Sequence, residues 1–157
     1  MKMVKIFLVL AIMASMAVTN ISAETARTAK IESLRGSAEV KHVNEKRWVP
    51  VKVGLVLNEG DIIRTKKNSE TIISINGDTE SAMLVLQENS HLTFFEMSEN
   101  KDLARETTFL DLAIGEVLVT KHKIEDVTSE FEVKTPTSIV AVKGGSSKFS
   151  VSVEQID

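Results

Sequence analysis

The chain has no cysteine among its 157 residues. That absence excludes disulfides, thiol catalysis, thiolate metal sites and lipid attachment through a cysteine after a leader, so stability has to come from core packing. The chain also lacks an apolar run long enough to span a bilayer. Its greasiest stretch, Ile6 to Val18, has 13 residues, against about 20 needed to cross roughly 30 Å of hydrocarbon. Beyond that stretch there is no sustained 3.6-residue apolar stripe, no internal repeat, no low-complexity tract and no linker. Positive charge is not in excess either, with 19 Lys and Arg against 22 Asp and Glu. That balance disfavours a phosphate-binding surface and argues against nucleic acid as a partner.

The N-terminus has the charged, apolar and small-residue order of a secretory signal peptide. Lys2 and Lys5 lead into the apolar run, Thr19-Asn20 close it, and Ile21-Ser22-Ala23 offer the cleavage site, with Glu24 as the first residue released. A buried helix would need one polar face, and residues 6–14 have none. The expectation is a signal helix over 1–23, followed over 24–157 by a single soluble domain, periplasmic or secreted, with no permanent membrane span. Removing the signal leaves 134 residues, the size of one ordinary domain, with 17 basic against 22 acidic groups, or −5.

After Ala23 most segments alternate apolar and polar residues with period two, as strands do when one face lies on a core. Glu130 to Thr135 is the cleanest, with Phe131 and Val133 inward and the charges outward, and Lys148 to Val153 repeats it. Further strands are expected at Ala38 to Val43, Arg47 to Val53, Asp61 to Thr65, Glu70 to Ile75, Ala82 to Leu86, His91 to Met97, Phe109 to Ile114, Glu116 to Lys121 and Ser138 to Val142. Turn residues punctuate them at Arg35-Gly36, Asn58-Glu59-Gly60-Asp61, Asn76-Gly77-Asp78 and Gly144-Gly145, with Asn76-Gly77 the best hairpin signal. Glu96 to Glu106 is polar and free of proline, with room for one helical turn. About eleven short strands imply an all-β sandwich or barrel.

Few residues carry chemistry in a recognisable pattern. His42, His91 and His122 stand alone, with no partner at the spacing of a familiar metal motif. The acidic pairs Glu130/Glu132 and Glu125/Asp126 read as solvated faces, since alternation puts Glu130 and Glu132 opposite Phe131 and Val133, too wet to act as raised-pKa acids. Ser146 and Ser147 follow Gly144-Gly145, but a strand and not a helix comes next, so neither a nucleophile elbow nor a phosphate loop is formed. A bulge or turn is expected there. Trp48, the single tryptophan, is an amphipathic ring suited to stacking on a sugar, but a core position is the expectation because large aromatics dominate core burial.

Taken in order, the motifs resemble a FecR domain, a bacterial envelope module. The family opens with a Gly before a short strand, then a Trp ahead of an apolar segment, then Leu-x-x-Gly-Asp-x-[ILV]-x-Thr. Here these are Gly36 with Ala38-Glu39-Val40, Trp48-Val49-Pro50-Val51, and Leu57-Asn58-Glu59-Gly60-Asp61-Ile62-Ile63-Arg64-Thr65. The polar Ser turn, the Leu-x-x-Gly segment, the Val-x-Thr-Pro entry and the Val-[RK]-Gly segment correspond to Glu88-Asn89-Ser90-His91-Leu92, Leu112-Ala113-Ile114-Gly115, Val133-Lys134-Thr135-Pro136 and Val142-Lys143-Gly144. The likeness runs from about Ile31 to Val153. It departs where the family has Gly-Thr-x-Phe, because Gly144-Gly145-Ser146-Ser147-Lys148-Phe149 adds residues that flip strand parity unless a bulge absorbs them.

The resemblance implies a jelly-roll-like β-sandwich that is not an enzyme and needs no cofactor or metal. Its family-motif residues, Trp48, Gly60, Asp61, Thr65, Gly115, Thr135, Pro136, Gly144 and Phe149, are expected to be structural. It also implies binding of an envelope protein or polysaccharide, with strand edges and turns as contact surfaces. The alternative is sensing, in which the domain passes receptor occupancy to a separate anti-sigma or sigma regulator. A cryptic hydrolase built on Ser146 or an acidic pair is the weakest reading.

Overall fold

The computed structural model describes residues 23–76 and 80–154, so the expected signal helix and the Gly77-Asp78 corner of the Asn76 turn lie outside the described residues. The fold is all-β, with thirteen strands and no helix among the described residues. In chain order they are β1 (Thr25–Ala26), β2 (Thr28–Arg35), β3 (Ala38–Lys41), β4 (Val49–Pro50), β5 (Val56–Leu57), β6 (Ile62–Thr65), β7 (Glu70–Asn76), β8 (Glu80–Leu86), β9 (His91–Asn100), β10 (Arg105–Lys121), β11 (Thr128–Lys134), β12 (Ile139–Lys143) and β13 (Ser147–Val153).

The strands form one sheet that curls into two layers over a shared core. The first layer runs β4-β3-β6-β9-β10-β11-β12, with β1 beside the far end of β9, and the second runs β5-β2-β7-β8-β10-β13. Strand β10 belongs to both. Its first half pairs with β9 and, in parallel, with β11, and its second half pairs with β8 and β13. Parallel neighbours ordinarily need a crossover of a dozen or more residues. Here the second half of β10 and the loop 122–127 make that crossover, which returns the chain beside Arg105 without a helix.

The alternation read from the sequence is the pattern of burial. Phe131 and Val133 are buried, as are Ile73, Leu84, Leu92, Phe94, Leu110, Val117 and Val119 from both layers. Within β10 the buried parity changes, from Glu106, Thr108, Leu110 and Leu112 to Val117, Val119 and Lys121. The two expected strands Phe109 to Ile114 and Glu116 to Lys121 are thus one strand with a kink, marked by a register shift against β9 at Leu112/Ile114.

Gly115 makes the kink. Its φ is +93°, and a Cβ there would lie 2.1 Å from Ser90 Oγ and 2.4 Å from Ser90 Cα. Only glycine allows both that dihedral and that approach. Ser90 closes the corner, its Oγ accepting the Glu116 N–H at 2.9 Å.

Two expectations change. Glu96 to Glu106 holds no helical turn; β9 extends to Asn100, a turn with Ala104 at φ 45° follows, and β10 begins at Arg105. Pairing to β1 and β11 satisfies this polar stretch as sheet edge and interior. The strand β2 is absent from the alternation pattern because a bulge at Glu32 breaks it, so Ala29 and Ile31 are buried on one parity and Leu34 packs on the other.

Candidate functional site

Most of the motif residues singled out in the sequence are knots that hold turns. Asp61, 1% exposed, accepts the Asn58 and Val43 N–H groups at 3.0 Å each and meets His42 Nδ1 at 2.9 Å. One carboxylate thereby gathers the β3–β4 loop and the β5–β6 turn, and the Gly60 N–H donates to the Phe94 carbonyl at 2.7 Å. Thr65, also buried, donates to the Gln87 carbonyl and accepts the Ser90 N–H at 3.0 Å. Thr135 caps the β11–β12 turn by accepting the Ser138 N–H at 2.9 Å, with Pro136 exposed beside it. Phe149 packs edge-on against Phe131, ring centres 6.3 Å apart.

The extra residues around Gly144 form a connection between layers. Gly144 and Gly145 both have positive φ, 61° and 62°, and β12 and β13 join different layers, so no strand parity has to be preserved across them. Lys121 at the end of β10, 3% exposed, reaches this turn and donates to the Gly145 carbonyl at 2.8 Å and the Gly144 carbonyl at 3.3 Å. Burial lowers its pKa, and Glu106 at the other end of the same strand opposes that shift. A buried charged group at a strand end carries no sequence pattern, and only the fold reveals Lys121.

Near it lies a second buried polar group. Arg27, 3% exposed, donates to Thr108 Oγ1 at 3.0 Å and to Ser81 Oγ, and its Nη2 stands 3.3 Å from Glu106 Oε2. Burial lowers the Arg27 pKa, while Glu106 and Glu99 raise it.

The residues weighed for catalysis are scattered. Ser146 is exposed and accepts the Lys123 N–H at 3.0 Å. Glu130 pairs with Lys143 at 2.8 Å, Glu125 with Lys123 at 2.9 Å. His42 is engaged by Asp61, and His91 lies on another strand face. No three His, Asp or Glu side chains converge in a metal-holding group among the described residues.

Trp48 corrects the expectation of a core position. The ring is half-buried on the outer face of the first layer, where Arg64 Cζ stands 3.9 Å from its centre, Lys41 Nζ 5.4 Å, and the His91 ring meets it edge-on at 5.6 Å. β4 is a two-residue edge strand that places Val49 on the inner side opposite Val40. The residue before it therefore turns outward, as the pleat demands.

The other unfilled feature is at the opposite end of that layer. β12 pairs only with β11, so its second side is an open edge among the described residues. Next to it a groove of about 200 Å³ is lined by Phe95, Phe109, Leu110, Asp111, Glu132, Lys134 and Ile139. Phe95 is the extra residue of a bulge in β9, where Phe109 pairs with Glu96 and Leu110 with Phe94. The bulge turns Phe95 to solvent, 66% exposed, with Ile139 60% exposed across the groove.

No curated protein and no solved structure matches this chain. The model of one family, described as FecR protein, matches residues 61–157, which include the Asp61 and Thr65 knots, the Gly115 kink and the Gly144 connection. The chain belongs to the FecR family.

Proposed function

We propose that the chain is an exported, non-enzymatic FecR domain that binds an envelope protein by accepting an extended segment along β12. The observation that carries this reading is the open β12 edge with the apolar groove beside it. Of the five residues Ile139-Val140-Ala141-Val142-Lys143, alternate ones present their backbone groups to the open side, and only one of the five is charged. Long apolar edges of this kind recruit other strands and are normally blunted by charge, proline or a covering element. An incoming strand would gain main-chain hydrogen bonds along β12 and pack an apolar side chain against Ile139, at the rim of the groove that runs inward over the sheet face. Export is supported by the order of Lys2, Lys5, the apolar run and Ala23.

Two measurements test this. Mass spectrometry of fractionated cells is expected to find a chain starting at Glu24 in the soluble envelope fraction, and an intact Met1 in membranes would contradict export with cleavage. A photo-crosslinking residue at position 139 or 141 is expected to give one discrete adduct in cells, with none from exposed position 53. Adducts from all three positions, or from none, would remove the strand-addition reading. Ile139→Lys is expected to abolish the adduct from position 141 while changing stability by less than about 0.5 kcal/mol, as for exposed positions generally.

A further inference from the structure

The outer face of the first layer is basic in a chain that is acidic as a whole. Register sets two rows across three strands: Glu39, Arg64 and His91 in one, and Lys41, Ile62 and Thr93 in the other. Trp48 lies against these rows, touching Arg64, Lys41 and His91. Glu39 is the one carboxylate within the cluster, and it is already engaged three ways, by Arg64 Nε at 2.8 Å, Arg64 Nη2 at 2.7 Å and Lys66 Nζ at 2.7 Å. Three cations, Lys41, Arg64 and Lys66, thus face one anion. Exposed Lys46 and Arg47 lead directly into Trp48.

Two physical consequences make this more than a charged face. Glu39 holds the Arg64 guanidinium over the indole and uses two of its five donors, leaving the rest fixed in direction for a second acceptor. The field at the centre is also positive: the His91 pKa is lowered, first by burial and then by Arg64 and Lys41. A half-exposed indole beside oriented cationic donors is complementary to a ring with apolar C–H faces and an attached anion. An acidic sugar has both.

We propose that the face formed by Trp48, Arg64 and Lys41 binds an acidic oligosaccharide, the indole stacking on a sugar ring and Arg64 and Lys41 taking its carboxylate. This goes beyond strand addition and lies at the other end of the layer, so one site can fail without the other. Trp48 is the single tryptophan and there is no tyrosine, so intrinsic fluorescence reports on this face alone.

The test titrates the purified chain with tetragalacturonate, with cellotetraose as neutral sugar and with inorganic phosphate as bare anion. Tetragalacturonate is expected to change Trp48 emission saturably and to bind about tenfold or more tighter than the other two, an advantage that shrinks as salt rises. Arg64→Gln and Lys41→Gln are each expected to weaken it about tenfold with unchanged unfolding midpoints, the scale of one lost charged hydrogen bond. Calorimetry with Trp48→Ala is expected to show no saturable heat. Equal affinity for cellotetraose, equal affinity for phosphate, indifference to Arg64→Gln and Lys41→Gln, or no saturable response at all would each overturn the proposal.

Discussion

Gly115→Ala tests the account of how one strand serves two layers. The new Cβ would sit 2.1 Å from Ser90 Oγ, 2.4 Å from Ser90 Cα and 2.5 Å from Ser90 Cβ. A rotamer change can move the hydroxyl, but the Cα belongs to the backbone of the β8–β9 turn, so β10 and that turn must separate. Overpacking of this kind costs about 1–3 kcal/mol. The φ of +93° adds roughly 1–2 kcal/mol for a residue with a Cβ. Alanine restricts the unfolded chain, which returns about 0.4–1 kcal/mol. The net loss is about 1–4.5 kcal/mol, centred near 3, against the 5–15 kcal/mol typical of a whole domain.

Urea unfolding followed by far-UV circular dichroism measures this loss, and Trp48 emission at the far end of the first layer gives a second probe. Coincident transitions with an unchanged denaturant slope are expected, with the midpoint alone moving down. A Gly115→Ala variant within about 1 kcal/mol of the parent would refute the reasoning, because both the clash and the dihedral strain would then be relieved by motions this packing does not allow.

Three further outcomes concern polar groups, Asp61 and Arg27 buried and His91 half-buried. Asp61→Asn turns one of the carboxylate's accepting oxygens into a donor facing Val43 N–H or the Asn58 N–H and His42 side; a loss of about 1.5–3 kcal/mol is expected by urea unfolding, and a change below about 0.5 kcal/mol would mean that the carboxylate does not hold the turn. Arg27→Met takes its charge away from Glu106 and is expected to cost about 3–5 kcal/mol, whereas Arg27→Met/Glu106→Leu is expected to recover most of it; equal stability of the single and double variants would show that the pair is not coupled. His91 is expected to titrate below the ordinary value of about 6.5 in an NMR pH series, and Arg64→Gln is expected to raise its midpoint. Because the folded value is the lower one, the unfolded chain takes up the proton first, and the His91 contribution to stability is lost as pH falls through about 6.5 toward the folded midpoint; a His91 midpoint at or above that value would contradict the positive field beside Trp48.

Most strands, their inward faces and the turns between them were legible in the residues for a physical reason. Alternation is local, since successive side chains of a strand point to opposite faces whatever the strand pairs with. So Phe131 and Val133 could be placed inside from the pattern alone, whereas Asp61, Thr65, Gly115 and Thr135 were singled out by the resemblance to the FecR motifs. Where a bulge breaks the period, the same reading fails, and β2 with its extra Glu32 was invisible for that cause.

By itself the sequence determined an all-β chain of the FecR family with no cysteine chemistry and no long apolar span after Asn20. The tertiary structure alone decided that Phe109 to Lys121 is one kinked strand shared by two layers, and that Trp48 lies outside on Arg64. It also decided that Lys121 clamps the Gly144-Gly145 connection, and that Phe95 and Ile139 line one groove on the outer face beside the open β12 edge. Each of these depends on strand order and register, which bring together residues tens of positions apart, and no local period encodes which outer faces meet.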